Sequence, residues 1–252
     1  MTMNAASRTR WPRDGWDMGP RGVLALIVLL TIGLSACSSG SQDAAKTSKS
    51  STSPAATSPV NTKAESVPTS LADAGEYGEN VYDYAKARDW KNAEVKLAAL
   101  KAATRRIRSE DVNKRESIDS LDGDVAALDL AVTAKDRHLA MRQANQVTLD
   151  VAAMSAGYKL SVPVEVTKLD YYGRELEIWA EAQDANKLQA TARDMRRTWD
   201  ALRSSVEAHD AAAARRFDAL VAEVEGAKTP ADHARLATRV LDEVDNLEKL
   251  FH

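Results

Sequence analysis

The chain has 252 residues, of which 44% are hydrophobic and 28% charged, a balance typical of a folded protein rather than a disordered one. The formal net charge is −3, and a mildly acidic chain without a basic cluster in its folded part lacks the electrostatic footprint of a nucleic-acid-binding protein. The single cysteine excludes an internal disulfide. Gly is infrequent whereas Ala, Leu, Asp, Arg and Lys are common, so the composition favours helices.

An apolar segment near the N-terminus has the features of a secretory signal. Arg21 supplies a positive charge, and residues 23–34 form an apolar core of 12 residues. About 20 residues are needed to span a bilayer as a helix, so this core is too short for a membrane span and fits a cleaved signal peptide. We expect translation to start at Met18 and residues 1–36 to be removed from the mature chain.

The apolar core ends in Leu34-Ser35-Ala36-Cys37, which resembles the lipobox of bacterial lipoproteins. The resemblance implies that the Cys37 sulfur receives a diacylglycerol and that cleavage leaves Cys37 as the mature N-terminus. It also implies a place in the cell envelope, at the periplasmic face of the outer membrane or, in a Gram-positive cell, at the outer face of the cytoplasmic membrane. The alternative is an ordinary secreted protein with a chance cysteine.

Residues 37–70 are dominated by Ser, Thr, Ala, Pro, Lys and Gln and contain no aromatic side chain. Such a segment buries too little apolar surface to order itself. A flexible chain of this length spans roughly 30 Å by the square-root rule. We therefore predict a tether between the lipidated cysteine and a helical domain at residues 71–252.

A four-fold repeat organises the helical domain. An Ala-x-Asp motif occurs at residues 87–89, 134–136 and 182–184, and Ala-Lys-Thr takes its place at residues 227–229, with spacings of 45 to 48 residues. Asp and Thr are good N-cap residues, because their side-chain oxygens accept a free backbone N–H at a helix start. In one continuous helix, the apolar positions before and after each cap would lie on opposite faces, so each cap predicts a turn between antiparallel helices.

The apolar stripes between the caps predict how the helices are arranged. Residues 185–225 contain no Gly or Pro and keep one helical phase, which predicts a single helix of about 40 residues, whereas Gly157 and Pro163 interrupt the preceding segment. We predict an all-α protein, an elongated up-and-down four-helix bundle built from four helical-hairpin repeats of about 47 residues. The alternative is a solenoid of helical hairpins, which needs breaks near residues 111 and 210.

The sequence contains no recognisable catalytic motif. Its four histidines are not paired with another His or Cys at helical spacing, and it has no covalent haem motif, no glycine-rich phosphate loop and no serine in a nucleophile motif. Asp122-Gly123-Asp124 lacks the remaining ligands of a calcium loop. We therefore expect a protein that is not an enzyme and that uses no metal or other cofactor.

One stretch is chemically richer than the rest. The helix interrupted at Gly157 and Pro163 resumes with several aromatic and charged side chains, and Gly173 within it leaves room for a close backbone or a ligand. The sharper interpretation is a binding groove at this interruption, and the plainer one is an aromatic core with a surface ion pair. The residues that would line the groove are Asn145, Thr148, Asp170, Tyr171, Arg174 and Trp179.

Two functions fit these features. The first is a membrane-anchored extracytoplasmic lipoprotein that serves, without catalysis, as a protein-binding or accessory module of the envelope. Its partners would be the membrane, through the lipid on Cys37, and an envelope protein, but not nucleic acid. The second is a bundle that binds haem, a metal or a small molecule near residues 157–179, by analogy of architecture with imelysin-like and cytochrome c′-like bundles.

Overall fold

The structure, a computed structural model, describes residues 66–110 and 115–252. These residues form a short 3-10 helix at Lys249–Phe251 and eight α-helices, namely α1 (Thr69–Lys86), α2 (Trp90–Glu110), α3 (Arg115–Thr133), α4 (Arg137–Ser155), α5 (Val164–Glu181), α6 (Ala185–His209), α7 (Ala211–Gly226) and α8 (Pro230–Glu248). The all-α class predicted from the sequence is confirmed for this part of the chain. None of the helices described is both long enough and apolar enough to cross a membrane. The predicted signal peptide, Cys37 and the tether up to residue 65 lie outside the described residues.

The helix starts predicted by the repeat carry the expected N-caps. In each case a side-chain oxygen of Asp or Thr accepts the backbone N–H three residues later, at N···O distances of 3.0–3.3 Å. These oxygens satisfy N–H groups that have no partner within the helix. The N-cap residues and their donors are Asp89 and Asn92, Asp136 and Leu139, Asp184 and Lys187, and Thr229 and Asp232.

Three of the four turns have a left-handed residue at their centre. Arg88, Lys135 and Gln183 have φ angles of 59°, 53° and 57°. The N–H of each bonds to the carbonyl three residues earlier, and the N–H of the following Asp bonds to the carbonyl five residues earlier. This Schellman arrangement satisfies carbonyl groups at the end of the preceding helix. The fourth turn differs, because Ala227 is extended, with φ −63° and ψ 138°.

The single helix predicted for residues 185–225 is not observed. Helix α6 ends at His209 and α7 begins at Ala211, with Asp210 in an extended conformation between them (φ −151°, ψ 100°). The Asp210 carboxylate accepts two N–H groups in the first turn of α7, at 2.7 and 3.1 Å. Asp210 is therefore an N-cap that ends one helix and starts the next.

Helices α6 and α7 fold back on each other, and so do α2 and α3. In both pairs, residues well separated in the chain are neighbours across the hairpin. The contacts across α6 and α7 are Trp199 with Phe217 and Arg196 with Glu225, and those across α2 and α3 are Lys101 with Asp129 and Arg108 with Asp122. Hairpins thus take the place of the long helices that the four-helix bundle needed. The helices end near residues 111 and 210, as the alternative arrangement of helical hairpins required.

Two hydrophobic cores hold the eight helices together. The first is formed mainly by α1–α4, and the second by α5–α8. Helix α1 contacts both α2 and α4, and α5 contacts both α6 and α8, so each group of four closes on itself. The eight helices therefore form two groups of four, and the predicted single four-helix bundle is not observed. The largest fully buried side chains include Tyr82, Leu100, Leu121 and Leu128 in the first core and Leu169, Leu176, Trp199 and Phe217 in the second.

Two glycines allow the first and last helices of each group to approach closely. A Cβ atom on Gly78 of α1 would lie 3.1 Å from Val147 Cγ1 of α4, and a Cβ atom on Gly173 of α5 would lie 2.7 Å from Leu241 Cδ2 of α8. The two glycines are separated by 95 residues and hold the same place in their groups. The room that Gly173 was expected to leave is thus filled by a neighbouring helix.

Candidate functional site

The six residues predicted to line a groove lie on two helices in contact with each other. Helix α4 carries Asn145 and Thr148, and α5 carries the other four, which are Asp170, Tyr171, Arg174 and Trp179. Helix α5 belongs to the second group but adds Ile178 to the first core, so these residues lie at the junction of the two groups.

A hydrogen-bond network joins α4 to α5 around Asn145, whose side chain is fully buried. Asn145 Nδ2 donates to the Tyr171 carbonyl oxygen at 3.1 Å and to Glu175 Oε1 at 3.2 Å. The other carboxylate oxygen of Glu175 accepts the Trp179 indole N–H at 2.6 Å. Asn145 Oδ1 has no hydrogen-bond partner among the residues described. Glu175 therefore links Asn145 to Trp179, and Asn145 itself bonds to Tyr171.

Thr148 contacts α1 instead of lining a groove. Its side chain is buried, and Oγ1 donates to the Ala144 carbonyl oxygen of its own helix at 3.3 Å. A Cβ atom on Gly78 of α1 would lie 3.4 Å from Thr148 Oγ1. Thr148 is therefore part of the close contact between α1 and α4.

Arg174 forms an ion cluster between α1 and α5. Only 9% of the residue is exposed, yet its guanidinium lies 3.0 Å from Asp170 Oδ2 and 3.6 Å from Glu79 Oε2. It also stacks over the Tyr82 ring, with 5.1 Å between the guanidinium carbon and the ring centre. Arg174 Nη1 has no hydrogen-bond partner within the described part of the chain.

The carboxyl groups around Arg174 are crowded. Burial raises the pKa of Glu79 to about 7, an effect that Arg174 opposes and Asp170 increases. Burial also raises the pKa of Asp170, against the attraction of Arg174. Because 42% of the Glu79 side chain is exposed, solvent screens these interactions in part. One guanidinium thus serves two carboxyl groups that favour protonation, and the cluster can take up a proton near neutral pH.

A second polar cluster at the junction includes residues that the sequence did not indicate. Glu177 of α5 accepts the Tyr82 hydroxyl at 2.9 Å and pairs with Lys86 at 2.6 Å. Arg137 Nε donates to the Lys86 carbonyl oxygen at 3.0 Å, and the same guanidinium pairs with Glu181. Tyr82 and Lys86 lie more than 90 positions before Glu177 in the chain. A sequence pattern relates residues that are close in the chain, so it could not have revealed these contacts.

Trp179 lies at the edge of the junction with cations around its ring. The Arg142 guanidinium carbon is 5.2 Å from the ring centre, and Lys187 Nζ is 5.3 Å from it. The His138 ring makes an edge contact at 6.0 Å. Cations at these distances are attracted by the electron-rich face of an indole ring. The indole is partly buried, so part of this cation-rich aromatic surface is accessible.

A metal site and a surface groove were the other features sought among the described residues. Among residues 66–110 and 115–252, no group of three or more His, Cys, Asp or Glu side chains is placed to hold a metal ion. A groove of about 420 Å³ lies between α7 and α8, helices that carry none of the six predicted residues. Its lining residues are Arg216, Ala219, Leu220, Arg239, Asp242 and Glu243.

Comparison with known proteins gave no similarity on which a function could rest. No protein-family model matches the chain, and no curated protein or solved structure matches it. The functional argument therefore depends on the residues themselves.

Proposed function

We propose that the protein is a membrane-anchored extracytoplasmic lipoprotein whose helical body binds another envelope protein without catalysis. The observation that carries this proposal is Leu34-Ser35-Ala36-Cys37 at the end of a short apolar core, followed at once by a segment rich in Ser, Thr and Pro. An anchor of this kind needs a folded body beyond the tether. The helices from Thr69 onward, with their two cores, supply that body.

The way in which the chain enters the helical body supports a tethered arrangement. Ser66 forms a parallel bridge with Lys159, and Val67 packs against the first core. These contacts fix the chain beside the start of α1 and the end of α4. A pull on the tether would therefore act on one defined end of the body.

The polar side chains at the junction favour a role in holding the helices together over a role in catalysis. Glu175 accepts from both Asn145 and Trp179, and Arg174 lies between Asp170 and Glu79. Groups engaged in this way are already desolvated and oriented by the protein, so chemistry on a substrate would require these contacts to be broken first.

A second candidate function is the binding of a small polar ligand, haem or a metal near residues 157–179. The observation that favours it is the pair of buried atoms Asn145 Oδ1 and Arg174 Nη1, which lack hydrogen-bond partners among the residues described. Buried polar atoms without a partner cost about 1–3 kcal/mol each, and a ligand could satisfy them. An absorption spectrum and metal analysis of the purified protein test the haem and metal versions, which a colourless, metal-free protein would exclude.

The lipoprotein proposal is tested by replacing Cys37 with Ser in the full chain. The expected result is that the wild-type protein carries a fatty-acid label and has lost its signal, and that Cys37→Ser takes up no label and keeps its signal. Ser38→Ala is the matched control, because it changes a neighbour and leaves the four-residue motif intact. Lipid labelling of Cys37→Ser equal to that of the wild type would overturn the proposal.

A further inference from the structure

Three of the cap-bearing turns meet at one end of the helical body. Arg137 joins them, since its guanidinium bonds to the Lys86 carbonyl oxygen at the end of α1 and pairs with Glu181 at the end of α5. We name this region, formed by residues 86–89, 134–137 and 181–184, the turn end. The chain enters the body at the other end of α1, which has 18 residues and is about 27 Å long.

The turn end carries long side chains where the backbone favours glycine. Arg88, Lys135 and Gln183 all have positive φ angles and are exposed. Glycine is the usual residue at this position of a Schellman turn, because it has no Cβ to clash in the left-handed conformation. Strained residues that recur on one surface point to a use for their side chains.

The same end presents cations that pair with no carboxylate among the described residues. One carboxylate oxygen of each of its aspartates accepts a helix N–H group as an N-cap. Several exposed basic side chains beside them form no ion pair with any residue in the described ranges. These side chains are Arg88, Lys91, Lys135, Arg142 and Lys187. A chain with a net charge of −3 thus displays positive groups at this end.

Trp179 supplies the apolar part of the surface. Its partly buried ring lies against Arg142 and Lys187, on α4 and α6, and its indole N–H is fixed by Glu175. Trp and Arg are the residues most often found to dominate binding energy in protein interfaces, particularly when they are preorganised. A rigid indole flanked by two cations matches an acidic segment that also carries an apolar side chain.

We propose that the turn end is a docking surface for an acidic segment of a partner protein, with Trp179, Arg142 and Lys187 at its centre and Arg88 and Lys135 at its edge. The inference rests on the proposed function in one respect, because the partner is taken to be another protein of the cell envelope. The charge and aromatic complementarity does not depend on the anchor.

The test is site-specific photocrosslinking in intact cells with the full chain. A photoreactive phenylalanine analogue is placed at Gln183 in the turn end and, as a matched control, at the exposed Arg215 near the start of α7, at the opposite end. The expected result is a protein adduct from position 183 whose crosslinked peptide is rich in Asp and Glu, and a yield from position 215 close to background. Adducts to phospholipid or nucleic acid only, equal adducts from both positions, or no adduct would overturn the proposal.

Charge reversal then tests which side chains matter. Arg142→Glu with Lys187→Glu is expected to lower the adduct yield from position 183 at least roughly tenfold, because like charges would face the acidic segment. Arg215→Glu with Lys249→Glu changes the net charge equally and should leave the yield unchanged. Arg88→Glu with Lys135→Glu, at exposed turn positions, gives a second reading if the first pair affects folding. Equal losses in the control pair would overturn the proposal, and lipid labelling of Cys37→Ser separately reports on the anchor.

Discussion

The same substitution, Gly to Ala, is expected to have opposite effects at two helical positions. Gly173 in α5 faces α8, and an added Cβ would lie 2.7 Å from Leu241 Cδ2, 3.0 Å from Leu241 Cγ and 3.3 Å from Val240 Cγ1. Gly123 in α3 is exposed, and an added Cβ there would meet no atom of the described residues within 4 Å. The first change overfills a packed contact, whereas the second adds a methyl group in open space.

The magnitudes follow from two opposing contributions. Ala is favoured over Gly inside a helix by about 1 kcal/mol, so Gly123→Ala should raise the free energy of unfolding by about that amount. Overpacking typically costs about 1–3 kcal/mol, so Gly173→Ala should leave the free energy of unfolding lower by roughly 0–2 kcal/mol after the helical gain is included. The two variants should therefore differ by about 1–3 kcal/mol.

Urea and thermal unfolding of the full chain measure the difference in the free energy of unfolding between the two variants. For a body of this size, each kcal/mol moves Tm by about 2–4 °C, so the two Tm values should separate clearly. Leu241→Ala should cost less stability in the Gly173→Ala background than in the wild type, because it also removes the atoms that the new Cβ meets. If Gly173→Ala stabilises the protein as much as Gly123→Ala does, α5 and α8 are not packed as described.

Two further predictions concern the turns and the ion cluster. Lys135→Gly should raise the free energy of unfolding by roughly 0.5–1 kcal/mol by relieving the left-handed conformation, and Lys135→Ala should leave it unchanged; equal effects in urea unfolding would contradict the strain. The folded-state pKa of Glu79, about 7, lies above its ordinary value of 4.5. Protonated Glu79 therefore contributes to the stability of the fold fully below about pH 4.5, and this contribution is lost as the pH rises through about 7. Glu79→Gln should therefore lessen the fall in stability between about pH 5 and about pH 7.5, and an unchanged slope in urea unfolding at both pH values would refute this assignment.

The helix starts could be predicted because their chemistry is local. An N-cap needs one side-chain oxygen and the N–H groups of the next residues, so Asp89, Asp136, Asp184 and Thr229 are recognisable from a few neighbours. The same rule applied to Asp210 would have found the break that separates α6 from α7. When Asp210 is not recognised as an N-cap, the continuous run of good helix formers favours one long helix.

The phase of the apolar stripe could not reveal that break. Trp199 and Val206 before it and Phe217 and Leu220 after it share a helical phase, which suits a straight helix with one buried face. In the structure all four are buried in one core, with the chain folded back between them. A hairpin whose two helices face the same core keeps the stripe in both arms, so phase alone does not distinguish the two arrangements.

The proximity of α4 and α5 was predictable, whereas the binding groove stays a prediction. Asn145, Tyr171 and Trp179 are linked because α4 and α5 are consecutive helices that lie against each other. The contribution of α1 was missed, since Glu79 and Tyr82 reach their partners on α5 across more than 90 residues. Only the closure of the first helix group against α5 brings them together, and that closure is a property of the whole fold.

The distribution of polar groups divides the body into parts with different physical character. Each four-helix group is held by an apolar core, whereas the junction between the groups contains Arg174, Asn145 and the carboxyl groups around them. Apolar cores are insensitive to pH, but this junction contains carboxyl groups with raised pKa values and buried atoms without partners. Local opening begins where buried contacts are weakest, so α5 should separate from α1 before either core is lost.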